Sequence, residues 1–199
     1  YQKENNVPYK AENIVVSNGA KQSIANVMLA LLNPGDEVIV FSPYWVSYDA
    51  LVRLAEATPV IVKGTLENDF KVTAAQVDAA ITPKTKAIIF SSPCNPTGSV
   101  FSKKELETIS QVVLKHEGLL VIADEIYEHI NFAGDQTSMA SLPGMFERTI
   151  TVNGFAKGFA MTGWRVGYIA APKWVADGSN KVQGQITSAN CSISQRGAL

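Results

Sequence analysis

Residues 119–125 read LLVIADE, five apolar positions in succession closed by two carboxylates. An unbroken run of this kind lacks the alternation of a strand with one wet face. Leu119–Ala123 is therefore read as a strand buried on both sides. Glu37–Phe41 (EVIVF) and Lys86–Ser91 (KAIIFS) repeat the pattern, Thr149–Val152 and Val166–Ala170 are shorter β-branched or apolar runs, and Ile14–Val16 and Pro59–Lys63 are shorter candidates. Helical spacing fills the intervals. From Ala20, the residues Ile24, Val27, Met28, Leu31 and Leu32 recur on one face until Asn33-Pro34-Gly35 stops the helix. Further helices are expected over Val46–Ala57, over Thr73–Ile81 before Pro83, and from Ser102, which forms a capping box with Glu105, to about Glu117. Pro172-Lys173-Trp174 suits a helix start. Buried strands alternating with helices predict an α/β fold, a three-layer α/β/α sandwich with a mostly parallel central sheet.

At about 100–200 residues per domain, the 199 residues make one domain, 1–199. Hydrophobic residues at 46% against 18% charged ones predict a packed core rather than disorder. A net charge of −1 with no basic block argues against nucleic acid as partner. Cys94 and Cys191 stand far apart without metal-ligand spacing, so no metal site is expected, and a reducing, cytoplasmic compartment is the default. No apolar run has the length of a membrane span. The opening YQKENNVPYK resembles the tail of a helix, and Ser192–Leu199 stops inside an amphipathic segment, so the chain is read as a fragment.

In sheets of this type ligands bind beyond the carboxyl ends of the strands. Trp45, Asn95, Asp124 and Lys157 each follow such an end and should meet on one edge. Gly19-Ala20-Lys21 sits at a helix N-terminus, where free N–H groups and the dipole favour an anion. Lys157 lies between Gly154-Phe155-Ala156 and Gly158-Phe159-Ala160. Small and apolar neighbours of this kind predict a poorly hydrated ammonium with a depressed pKa, able to attack a carbonyl. Each residue also has a plain reading: a loop lysine for Lys157, a helix cap for Asp124, core packing for Trp45, a turn for Asn95. LLVIADE also resembles the magnesium-binding strand of nucleotide triphosphatases, but the sequence has no G-x-x-x-x-G-K-[ST] loop. His116 and His129 have no evident partners and are read as structural.

Taken together the residues fit pyridoxal 5'-phosphate, which needs an amine for its aldehyde and an acid for its ring nitrogen. It also needs an anion cradle, a flat surface to stack on and a donor to its phenolic oxygen. Lys157, Asp124, the Gly19–Lys21 helix start with Arg165, Trp45, and Asn95 with Tyr127 supply these in turn. The segments SNGAKQ, SPYWVSY, SSPCNPTG, ADEIYEHI and NGFAKGFAMTGWRVGY resemble fold-type I aminotransferases of class I/II. They are most similar to the bacterial aspartate aminotransferase subgroup that includes aspartate/prephenate aminotransferases, over essentially the whole chain.

That resemblance implies a transamination between an amino acid, aspartate or glutamate foremost, and a 2-oxo acid. It implies that Lys157 forms the Schiff base with the cofactor and shuttles the proton, and that Asp124 pairs with the ring nitrogen. Tyr127 and Asn95 would bond the phenolic oxygen, with Asn95 also touching the substrate's α-carboxylate. Trp45 would stack on the ring. Backbone N–H groups of Ala20 and Lys21, with Arg165, would hold the phosphate, and the Lys21 side chain would meet the substrate's distal carboxylate. It further implies a homodimer, each site completed by the neighbouring chain. The family's N-terminal arm, small domain and carboxylate-clamping arginine fall outside 1–199, so the chain is expected to be the large domain and to transaminate poorly alone. Many relatives carry a serine where this chain has Gly154, which implies one lost phosphate contact. The alternatives kept open are a lyase or decarboxylase of the same fold, and a ligand-sensing domain of a transcription regulator.

Overall fold

The structure, a computed structural model, describes residues 5–134 and 136–199. The helical tail read at 1–10 lies partly outside the described residues, and from Asn6 to Lys10 the chain is not helical. Seven strands form one sheet: β1 (Ile14–Asn18), β2 (Glu37–Ser42), β3 (Thr58–Lys63), β4 (Thr85–Ser91), β5 (Leu120–Asp124), β6 (Thr149–Gly154) and β7 (Val166–Ala170). Their order across the sheet is β1-β7-β6-β5-β4-β2-β3. The pairs β2–β3, β2–β4, β4–β5 and β5–β6 are parallel, and β7 runs antiparallel to both β6 and β1. The expected mostly parallel sheet is thus found with one reversed strand. The short connection 155–165 contains no crossover helix, and without one a returning strand must reverse.

The continuous apolar runs follow from burial on both faces. On β2, Val38 and Val40 join one core cluster while Ile39 and Phe41 join the other. The same period of two divides Ala87 and Ile89 from Ile88 and Phe90 on β4. The first face is covered by α1 (Ala20–Leu31), α2 (Ser47–Leu54) and α5 (Lys173–Ile186), through Ile24, Met28, Tyr48, Val52 and Val175. The second is covered by α3 (Ala74–Ala80) and α4 (Lys103–Lys115), through Val77, Leu106, Ile109 and Val113. A short α6 (Ser192–Gly197) follows α5. The Ser102–Glu105 capping box is present, each side chain accepting from the other's backbone N–H. The helix expected over Val46–Ala57 is shorter, because Glu56 turns into the left-handed region (φ 59°) and the chain heads directly into β3.

Candidate active site

Six strands, β1 to β6, end at one edge of the sheet, and the reversed β7 begins there. Beyond that edge lies a cavity of about 150 Å³ whose lining includes Lys21, Trp45, Asn95, Asp124, Tyr127, Lys157 and Arg165. The carboxyl-edge rule therefore brings together the side chains it singled out. Arg165 joins them because an antiparallel strand starts where its neighbours finish.

The acid is held first. Asp124 closes β5 and is buried, 4% exposed. Its Oδ2 accepts from the Tyr48 hydroxyl at 2.6 Å and its Oδ1 from the Ile126 N–H at 3.2 Å. Burial pushes its pKa up to about 6, against the pull of the Tyr48 hydroxyl, the Ile126 N–H and the Lys157 charge. Tyr48 is itself buried, and burial, with the Asp124 charge beside it, raises its own pKa, so it remains a donor. Nothing in the sequence pattern assigned Tyr48. The available signal was its position three residues after Trp45, one turn along the same segment. The Trp45 ring stands edge-on to Tyr48 at 5.7 Å, half-buried in the cavity lining, with the Lys21 ammonium over it at 4.9 Å from its centroid.

On the opposite side, Asn95 Nδ2 donates to the Tyr127 hydroxyl at 3.3 Å, joining the loops after β4 and β5. Lys157 Nζ sits 5.7 Å from the Tyr127 ring centroid. One expectation is corrected here: the Lys157 side chain is exposed, so its neighbours do not strip it of water. Phe155 and Phe159 pack on each other at 5.4 Å and on Tyr168 and His129 respectively.

The third wall is cationic. Gly19 caps α1 with φ 87°, and the first helical bonds run from the Gln22 and Ser23 N–H groups to its carbonyl. The N–H groups of Ala20 and Lys21 precede those bonds and face out of the helix end. Arg165, in the left-handed region at φ 54°, donates from Nη2 to the Asn18 carbonyl (3.2 Å) and from Nη1 to the Thr162 carbonyl (3.0 Å). A Cβ on Gly19 would strike the guanidinium, so only glycine lets the two cationic elements meet. Gly154 is equally constrained. It pairs with Gly167, and an added Cβ would lie 2.8 Å from both Gly167 Cα and Val166 O. A serine has no room there while these strands pair as they do.

The chain belongs to the Aminotransferase class I and II family, whose match covers residues 1–199. It is 53% identical over 197 residues to the bifunctional aspartate aminotransferase and glutamate/aspartate-prephenate aminotransferase of Petunia hybrida, covering 98% of this chain and 41% of that protein. Among solved structures, the aspartate aminotransferase of Rhizobium meliloti superposes with a TM-score of 0.97 at 40% identity, over 99% of this chain and 50% of that one. The Thermus thermophilus aspartate aminotransferase with maleate gives 0.95 at 42% identity, over 99% and 51%. The chain thus spans about half the length of these structures.

Proposed function

We propose that residues 1–199 are the cofactor-binding large domain of an enzyme that uses pyridoxal 5'-phosphate to exchange an amino group between an amino acid and a 2-oxo acid. The observation that carries the reading is one cavity faced by an amine, a buried carboxylate and a cationic cradle closed by Gly19. The donor set fits that cofactor. When bound, it supplies an aldehyde for amines and a ring that withdraws electrons from the substrate's α-carbon.

The chain's residues do the rest. Ala20 and Lys21 N–H groups and the Arg165 guanidinium hold the phosphate. Trp45 gives the stacking face, and Asn95 and Tyr127 donate to the phenolic oxygen. Asp124, anchored by Tyr48, would pair with the cofactor's ring nitrogen and favour its protonated form. Lys157 Nζ, which faces the cavity, would be the amine that holds the cofactor's aldehyde and the base positioned for the proton on the substrate Cα. Lys21 lies beside Trp45, suited to the second carboxylate of an acidic substrate such as aspartate or glutamate. The names of the Petunia and Rhizobium proteins, and maleate in the Thermus one, support that choice. Asn95 meets the substrate α-carboxylate, and a second copy completes the site in a homodimer.

The test is borohydride reduction of the chain with pyridoxal 5'-phosphate, followed by peptide mass mapping. A stable adduct on Lys157 is expected. An adduct on another lysine, or none, overturns the assignment.

A further inference from the structure

Between Thr187 and Ile193 one residue is buried among exposed neighbours: Asn190, 6% exposed. Its side chain reaches back to the sheet edge where β1 and β7 part. The last paired residues there are Ser17 with Gly167 and Asn18 with Val166. Past them, one strand turns through Gly19 into α1 and the other comes in from Arg165. Asn190 Nδ2 lies in this fork, 3.0 Å from the Ser17 carbonyl, 2.8 Å from Asn18 Oδ1 and 2.7 Å from the Arg165 carbonyl. The amide orientation is fixed by chemistry, since two of the three acceptors are backbone carbonyls and only an NH₂ can serve them. Its Oδ1 is buried without a partner, so the side chain is held for its donors alone. The Asn190 backbone is secured in turn by Gln195 Nε2 on its carbonyl at 3.0 Å.

The three acceptors are the residues behind the cationic cradle. The carbonyl of Asn18 receives the Arg165 guanidinium, and Gly19 follows Asn18. The Arg165 backbone is left-handed, a conformation that persists only where surrounding bonds impose it. We propose that Asn190 is a positioning residue for the phosphate site, a clamp across the β1/β7 fork that sets the distance between the helix N-terminus and the Arg165 guanidinium. It touches neither cofactor nor substrate. The inference rests on the pyridoxal phosphate reading above.

The test compares pyridoxal 5'-phosphate with pyridoxal, which lacks only the phosphate, by equilibrium dialysis of the wild-type chain, Asn190→Ala and Asn190→Leu. Leucine keeps the buried volume while removing both donors, so it reads the clamp if alanine loosens the fold. Affinity for the phosphorylated form is expected to fall about tenfold in both variants, the lower end of what supporting partners of a bound ion contribute. Affinity for pyridoxal should stay within about twofold, because its remaining contacts lie elsewhere. Equal losses for the two ligands, no loss for either, or failure of both variants to unfold cooperatively would each overturn the clamp. A wild-type chain that does not prefer the phosphorylated form would overturn the cofactor reading itself.

Discussion

Asp124→Asn should make the ligand-free chain's stability less dependent on pH. The Asp124 carboxyl, ordinarily near 3.8, is pushed by burial up to about 6. Below 3.8 it is protonated in both folded and unfolded chains. Between 3.8 and 6 the folded chain keeps a proton that the unfolded chain has released, so stability falls as pH rises. Above 6 both forms are ionised and the cost is constant. At about 1.4 kcal/mol per pH unit, the displacement amounts to about 3 kcal/mol at neutral pH. Asparagine fits the same contacts, its oxygen accepting from the Ile126 N–H and its NH₂ donating to the Tyr48 oxygen, without the charge. Urea unfolding of both chains from pH 3.5 to 7.5 should show the variant gaining about 3 kcal/mol on the wild type across that window. Other groups titrate equally in both and cancel. Parallel stability curves would refute the claim that loss of hydration outweighs the hydrogen bonds and the Lys157 charge at this carboxylate.

Tyr48→Phe removes the 2.6 Å donor from Asp124 Oδ2. Unfolding at pH 7 should become easier by about 1.5–3 kcal/mol, and the carboxyl midpoint, followed by the same pH series, should move further above 6. Gly154→Ser introduces a Cβ 2.8 Å from Gly167 Cα and Val166 O. Thermal melting should report a loss of about 1–3 kcal/mol, with no gain in pyridoxal 5'-phosphate affinity by dialysis. Gly19→Ala meets both a positive φ and the Arg165 guanidinium. A cost of about 1–3 kcal/mol is expected, and displacement of the guanidinium should weaken binding of the phosphorylated ligand more than of pyridoxal.

The strands were legible because a sheet covered on both faces leaves no position free to be polar, so EVIVF, KAIIFS and LLVIA announce themselves. The carboxyl-edge rule then placed Trp45, Asn95, Asp124 and Lys157 before any contact was known. What the sequence did not disclose depends on distant partners. Tyr48 and Asn190 are polar residues buried by elements far along the chain, and apart from Tyr48's place one turn after Trp45 no local pattern marks either. Lys157 misled because apolar neighbours in sequence are not neighbours in space: Phe155 and Phe159 serve another cluster. The helix expected over Val46–Ala57 stops at Leu54, and the left-handed Glu56 just beyond it carries no glycine to mark the end.

The connection 155–165 between β6 and β7 carries Lys157 near one end and Arg165 at the other, and both face the same cavity. On the proposed reading, a ligand carrying both an aldehyde and a phosphate would engage this one short connection twice. Once either contact is made, the second becomes an intramolecular event at high effective concentration, so the two together retain the ligand far longer than either alone. Dissociation requires both to let go within the lifetime of a single opening. A molecule offering only one of the two groups would gain no such avidity, so on the proposed reading the loop would favour bifunctional ligands by residence time.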